Sequence, residues 1–149
     1  MTTLDPYQIE GARDLAAHCR RGLYDEPGLG KTAQAIRARE LAGLKSTLVV
    51  CPAGVRQVWP YEFRLWAQTA VTLLEGATIY DASAWARGRR DVLICSYEQA
   101  VAWQEILTRD YFDLLICDES HYMKSPSAKR TRAVLGEHGD GINAIAGMA

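Results

Sequence analysis

The chain has 149 residues, enough for one domain with its own hydrophobic core and too few for two. Apolar residues make up 48% and charged residues 23%, the proportions of an ordinary globular protein, which excludes a predominantly disordered chain. The net charge of -1 excludes a strongly basic protein, so any contact with nucleic acid has to come from a local patch.

Taken in order, the chain alternates short apolar runs with amphipathic stretches, the pattern of a parallel sheet flanked by helices. A first helix is expected from Asp5 as N-cap, with Pro6 at the first helical position and Gln8 in the first turn. Gly22 to Tyr24 reads as a short strand, the segment DEPGLGKT as a turn, and Lys31 to about Leu44 as a helix. TLVVC (Thr47 to Cys51) reads as a buried strand closed by Pro52. The next helix, near Val55 to Trp66, has to kink or restart at Pro60. VTLLEGATIY supplies two short strands. DVLIC (Asp91 to Cys95) and DLLIC (Asp113 to Cys117) are two more buried strands, with a helix through Glu98 to Leu107 between them. A last helix is expected from Pro126, and the tail GINAIAGMA carries no assignment.

No apolar run approaches the roughly 20 residues of a membrane helix, and the start MTTLDPYQIE lacks the features of a signal peptide. Cys19, Cys51, Cys95 and Cys117 form no C-x-x-C pair, and three of them lie in or just after apolar runs, as buried reduced thiols do. A cytoplasmic compartment is expected.

Two segments carry chemistry. Glu26 to Thr32 reads E-P-G-L-G-K-T between a strand and a helix. Successive main-chain N–H groups in such a turn point inward onto phosphate oxygens, and its glycines let the backbone come close. Lys31 would reach the β- and γ-phosphates, and the Thr32 hydroxyl would bind Mg²⁺. The second segment is Asp118-Glu119 at the end of DLLIC, the carboxyl end of a parallel strand, where open α/β sheets bind ligands. Asp118 would hold Mg²⁺ through its water shell, and Glu119 would orient the attacking water and accept its proton.

These motifs, in this order, resemble the Swi/Snf-type branch of the superfamily-two helicases, with greatest similarity to its annealing-helicase subgroup. Leu4-Asp5-Pro6-Tyr7-Gln8 is similar to the branch's adenine-recognition motif, which implies that Gln8 reads the adenine edge. Asp25 to Thr32 resembles the branch's phosphate loop, which opens Asp-Glu; the resemblance therefore puts Asp25, Glu26, Gly28, Leu29, Gly30, Lys31 and Thr32 at the nucleotide, with Pro27 where Met is usual. Leu48 to Pro52 and Trp59 to Phe63 look like the motif after the second strand. Ser96-Tyr97-Glu98 resembles the motif that lies along the nucleic-acid track. Asp118 to Ser125 is similar to the subgroup's DESH segment, in which His121 would couple the nucleotide site to motion.

The resemblance implies a three-layer RecA-like P-loop fold with a mostly parallel sheet, spanning 1–149, that uses ATP and Mg²⁺ and acts on double-stranded or branched DNA. It extends to DNA-backbone contacts by Ser96, Tyr97 and Lys124, with Arg87, Arg89, Arg90, Lys129, Arg130 and Arg132 as further basic residues. The compartment it implies is cytoplasmic in a prokaryote or phage and nuclear in a eukaryote. In the family a Thr-Gly-Thr-Pro-like motif follows the DESH segment on a central strand, and no such sequence occurs here. The fold is therefore expected to be incomplete at its C-terminus, lacking that strand and the second RecA-like lobe, and unstable unless another polypeptide completes it. Two other readings remain open: a catalytically incomplete nucleotide-binding subunit, and the motor lobe of a restriction or RNA helicase.

Overall fold

The computed structural model describes residues 3–18, 20–23, 28–75, 92–109, 111–136 and 141–148. Asp25, Glu26, Cys19, the second strand expected in VTLLEGATIY and the arginines at 87, 89 and 90 lie outside the described residues.

The elements in chain order are α1 (Pro6–Ala17), β1 (Arg20–Arg21), α2 (Lys31–Leu41), β2 (Thr47–Cys51), α3 (Val58–Trp66), β3 (Val71–Leu73), β4 (Val92–Ser96), α4 (Tyr97–Ala102), α5 (Gln104–Leu107), β5 (Tyr111–Cys117), α6 (Lys129–Leu135) and β6 (Asn143–Met148). Short 3-10 turns follow β2 at Ala53–Val55 and β5 at Ser120–Met123. The strands form one sheet in the order β1-β6-β5-β2-β4-β3, and every pairing is parallel.

One expectation is overturned. The tail that carried no assignment is β6, and it occupies the central place that was expected to be vacant, between β1 and β5. It pairs with β5 from Tyr111↔Asn143 to Ile116↔Met148, and with β1 at Arg20↔Gly147 and Arg21↔Met148. A strand can therefore form without the expected motif, because a parallel ladder asks only for main-chain groups in register.

Both faces of the sheet are covered. Every residue of β2 and of β4 is buried, as the continuous apolar runs TLVVC and VLICS require. Alternate residues serve opposite faces. Val49, Cys51, Val92, Ile94, Leu114 and Ile116 pack against α1, α2 and α3 through Leu15, Ile36, Trp59 and Phe63. Leu48, Val50, Leu93, Cys95, Leu115 and Cys117 pack against α4, α5 and α6 through Tyr97, Trp103, Leu107 and Val134. Fully burying each of the large side chains contributes roughly 1.5–3 kcal/mol, so the core is held mainly by the two helical layers closing on the sheet.

Polar side chains fix the ends of the strands. Asp113 accepts from the N–H groups of Lys45 and Ser46 at 2.9 and 3.0 Å, locking the entry of β2 to β5. The buried Arg39 donates to Thr47 Oγ1 at 2.9 Å and to the Lys45 carbonyl at 2.7 Å, and pairs with Glu40. Cys51, Cys95 and Cys117 are buried free thiols, as expected; burial pushes the Cys51 and Cys117 thiols up to about 12.

Boundaries differ from expectation for local reasons. The first short strand is Arg20–Arg21 instead of Gly22 to Tyr24, so a two-residue polar strand was hidden by its composition. The chain restarts at α3, where Pro60 is the third residue; its missing N–H falls among the donors that have no partner inside the helix. The helix expected through Glu98 to Leu107 is divided at Trp103. The last helix begins at Lys129, three residues beyond Pro126.

Candidate nucleotide site

α1 begins as its sequence predicts. Asp5 is extended, Pro6 occupies the first position, and the Asp5 N–H donates to Gln8 Oε1 at 2.9 Å. That bond leaves the amide nitrogen of Gln8 aimed across the fold, where Nε2 donates to the Leu29 carbonyl at 3.3 Å. Gln34, on the second turn of α2 and 1% exposed, donates to the same carbonyl at 3.2 Å. The loop before α2 is therefore held by two amides from two helices. Sequence pattern did not single out Gln34, which has only its place three residues after Lys31 to mark it.

The turn is built on glycine. Gly28 has φ +88° and Gly30 φ +68°, a backbone region that costs other residues about 1 kcal/mol or more. A Cβ at Gly30 would also meet Gln8 Nε2 at 2.3 Å, so a side chain there would displace the Gln8 amide from the loop. α2 starts immediately after it, with Lys31 and Thr32 half-buried in the first turn. The first main-chain N–H groups of this eleven-residue helix have no partners within it, which favours an anion.

Asp118 follows β5 and is held at several points. Its N–H donates to the Val50 carbonyl at 2.9 Å, and its own carbonyl accepts from the Tyr97 hydroxyl at 2.8 Å. Its carboxylate Oδ2 accepts from the Trp59 indole N–H at 3.2 Å. Burial raises the Asp118 carboxyl above its ordinary range, the Trp59 bond and the Lys31 ammonium pull it down, and the Glu119 charge pushes it up. Lys31 and Asp118 are thus near enough to feel each other, although their segments lie far apart in sequence.

Glu119 adopts φ 52° and ψ 51°, a left-handed conformation. The Tyr122 N–H donates to its carbonyl at 2.9 Å. His121 Nδ1 lies 3.0 Å from Glu119 Oε2, and both side chains are about half exposed. Tyr122 stacks on Tyr97 with centroids 5.6 Å apart and planes 5° apart, and Arg130 lies 5.5 Å over the Tyr122 ring while pairing with Glu98 at 3.4 Å.

Gln8 meets the glycine turn through the Leu29 carbonyl, Lys31 and Thr32 open α2 directly after that turn, and Asp118, Glu119 and His121 follow the carboxyl end of β5, where Lys31 acts on the Asp118 carboxylate. The structure uses Ser96 and Tyr97 differently from the expectation of DNA contact. Ser96 is 3% exposed and caps α4, accepting from the Gln99 N–H at 3.1 Å, while Tyr97 is fully buried and braces Asp118. Neither side chain presents a surface to DNA; both are spent on the fold. Lys124 is exposed.

The residues present suit a nucleoside triphosphate with a divalent cation. Two left-handed glycines, a helix start, an ammonium, a hydroxyl and a half-buried carboxylate are the groups such a ligand calls for. Among the described residues no group of three or more metal-ligating side chains occurs, so a cation here would depend on phosphate and water for most of its shell.

A family model for the SNF2-related domain matches residues 7–137. The Caenorhabditis elegans SWI/SNF-related matrix-associated actin-dependent regulator of chromatin subfamily A-like protein 1 homolog is 36% identical over 137 residues, covering 87% of this chain and 19% of that protein. The Schizosaccharomyces pombe DNA repair protein rhp54 is 32% identical over 154 residues, covering 82% of this chain and 18% of that protein. This chain thus spans less than a fifth of the length of either relative. Among solved structures, the Sulfolobus solfataricus SWI2/SNF2 ATPase core in complex with dsDNA matches with a TM-score of 0.83 at 23% identity, over 99% of this chain and 31% of that one. That likeness is one of fold, and the fold here is the RecA-like α/β fold. The family match runs from Tyr7 in α1 through the glycine turn and Asp118-Glu119 to the end of α6, and the chain belongs to the family of SNF2-related domains.

Proposed function

We propose that this chain is the ATP-binding lobe of a DNA-dependent ATPase that moves along or remodels double-stranded DNA. The observation that carries the reading is that Lys31, which opens α2 directly after the glycine turn, acts electrostatically on Asp118 at the end of β5, with Glu119 beside it. The DNA named with the Sulfolobus structure and the repair role named for rhp54 support DNA as the polymer acted on. The compartment is then that of the DNA: the cytoplasm in a prokaryote, the nucleus in a eukaryote. No helix among the described residues is long and apolar enough to cross a membrane.

In this reading Gln8 meets the adenine edge, and main-chain N–H groups from Gly28 to Thr32 hold the phosphates with Lys31. Asp25 and Glu26 complete the turn on the strength of the resemblance alone. Thr32 and Asp118 would hold Mg²⁺, which when bound neutralises charge on the phosphates. Glu119 orients a water and takes its proton, and His121, paired with Glu119, couples the nucleotide site to motion. Lys124 meets the DNA backbone. The arginines that stabilise charge on the transferring phosphoryl group come from that second lobe, and are worth roughly 10³ to 10⁵ in rate. The chain alone therefore binds Mg-ATP and hydrolyses it near background.

The test is calorimetric binding of Mg-ATP and steady-state hydrolysis, with and without duplex DNA, beside Lys31→Ala. We expect binding that weakens roughly tenfold or more in the variant, the worth of a charge-assisted bond. No binding by the parent chain would sink the reading. Binding without DNA-stimulated turnover, even when a second lobe is supplied, would favour a nucleotide-binding subunit instead.

A further inference from the structure

We propose that Trp59 is a positioning residue for Asp118, holding the carboxylate in the orientation that Mg²⁺ requires; this rests on the ATP-binding reading above. Trp59 comes from α3, an element that contributes nothing else to the nucleotide site among the described residues. Its indole N–H donates to Asp118 Oδ2 at 3.2 Å, across 59 positions of sequence. The ring is 3% exposed and packs beside Phe63, with centroids 6.0 Å apart, in the cluster that includes Cys51 and Ile116. A bulky ring seated there cannot follow the carboxylate if it rotates.

Three properties separate this bond from ordinary filling of the core. First, an indole N–H only donates, so it suits an acceptor carboxylate and offers nothing to a competing acid proton. Second, Asp118 is already fixed through its main chain, by Val50 at its N–H and Tyr97 at its carbonyl. The freedom left to it is rotation of the side chain, and Trp59 removes that freedom. Third, this fold tolerates a buried indole N–H without an acceptor: among the described residues, Trp103 Nε1 has none. Burying Trp59 therefore did not by itself demand the Asp118 bond. Groups that orient a metal-binding carboxylate commonly matter about 10- to 100-fold in metal affinity.

The experiment measures the affinity of the chain for ATP calorimetrically, across a Mg²⁺ titration and in EDTA. It compares the parent chain with Trp59→Phe, with Lys31→Ala, and with a chain in which Trp59 is replaced by the isostere bearing sulfur in place of the ring N–H. That isostere keeps the ring's volume and so decides the matter if Trp59→Phe fails to fold. We expect both Trp59 replacements to raise the half-saturating Mg²⁺ concentration about tenfold or more while leaving ATP affinity in EDTA unchanged. Lys31→Ala, in contrast, should weaken ATP in both conditions. An unchanged Mg²⁺ dependence in the isostere chain overturns the inference and leaves the ATP-binding reading standing. An equal loss with and without Mg²⁺ also overturns it, because Trp59 would then only support the fold. Failure of the parent chain to bind Mg-ATP overturns both.

Discussion

Glu119 holds φ 52° and ψ 51° although a left-handed backbone costs a residue with a Cβ roughly 1–2 kcal/mol. No tight turn on glycine excuses it, and the strain is borne by the residue proposed to handle the attacking water. Two bonds hold the conformation in place: Tyr97 on the Asp118 carbonyl before it, and the Tyr122 N–H on its own carbonyl. Strain of this kind marks positions where geometry is kept at the expense of stability. Glu119→Asn tests that view, because asparagine tolerates the left-handed region without glycine's larger loss of backbone freedom. The half-exposed His121 pair that the substitution alters is worth little. Urea unfolding should therefore show a gain of about 0.5–1 kcal/mol, together with loss of hydrolysis in the two-lobed protein. A loss of stability would mean that Glu119 is a fold residue and not a strained catalytic one.

At the level of elements, α1 and α2 meet so closely that a side chain on Gly11 would have to displace the end of Gln34. A Cβ there would lie 2.0 Å from Gln34 Oε1, and Gln34 is the residue that donates to the Leu29 carbonyl. Gly11→Ala therefore reaches the nucleotide loop by way of Gln34, without touching the loop itself. Two effects on stability oppose each other: alanine in a helix interior gains roughly 1 kcal/mol, and displacing a buried amide from its acceptor costs about 1–3 kcal/mol. The melting midpoint should fall only slightly, while ATP affinity drops several-fold because Leu29 loses one of its two donors. Unaltered affinity with a lowered midpoint would confine Gln34 to helix packing. This contact also shows where sequence reading stops. Asp5, Pro6 and Gln8 announced the start of α1, and GLGKT announced the turn, since capping and phosphate binding are local chemistry. That α1 and α2 converge on one carbonyl depends on how two helices cross. The Trp59 bond to Asp118 is of the same kind: the aromatic could be placed on a helix, but not the partner of its N–H.

At the scale of the molecule, the buried strands β2, β4 and β5 were legible because continuous Val, Leu, Ile and Cys runs bounded by Pro, Ser and Asp have few other uses. β6 was not, because NAIAGM has only one β-branched residue and lacks the motif by which that strand was sought. Yet β6 sits between β1 and β5, and its register with β5 extends from Tyr111↔Asn143 to Ile116↔Met148. It is also what ties β1, two residues long, to the remainder of the sheet. Removing residues 143–149 would strip partners from the main-chain groups along one side of β5, whose residues Leu114 to Cys117 are buried. Each buried group left without a partner costs about 1–3 kcal/mol, and a domain has only about 5–15 kcal/mol in hand. Several such groups exceed the whole margin. The shortened chain should therefore lose its cooperative thermal transition by circular dichroism and expose Cys51, Cys95 and Cys117 to alkylation, whereas the 149-residue chain should melt cooperatively with all three protected. Retention of the transition and of thiol protection after the deletion would show that β5 finds cover without β6, and that the nucleotide edge of the sheet is organised by β2, β4 and β5 alone.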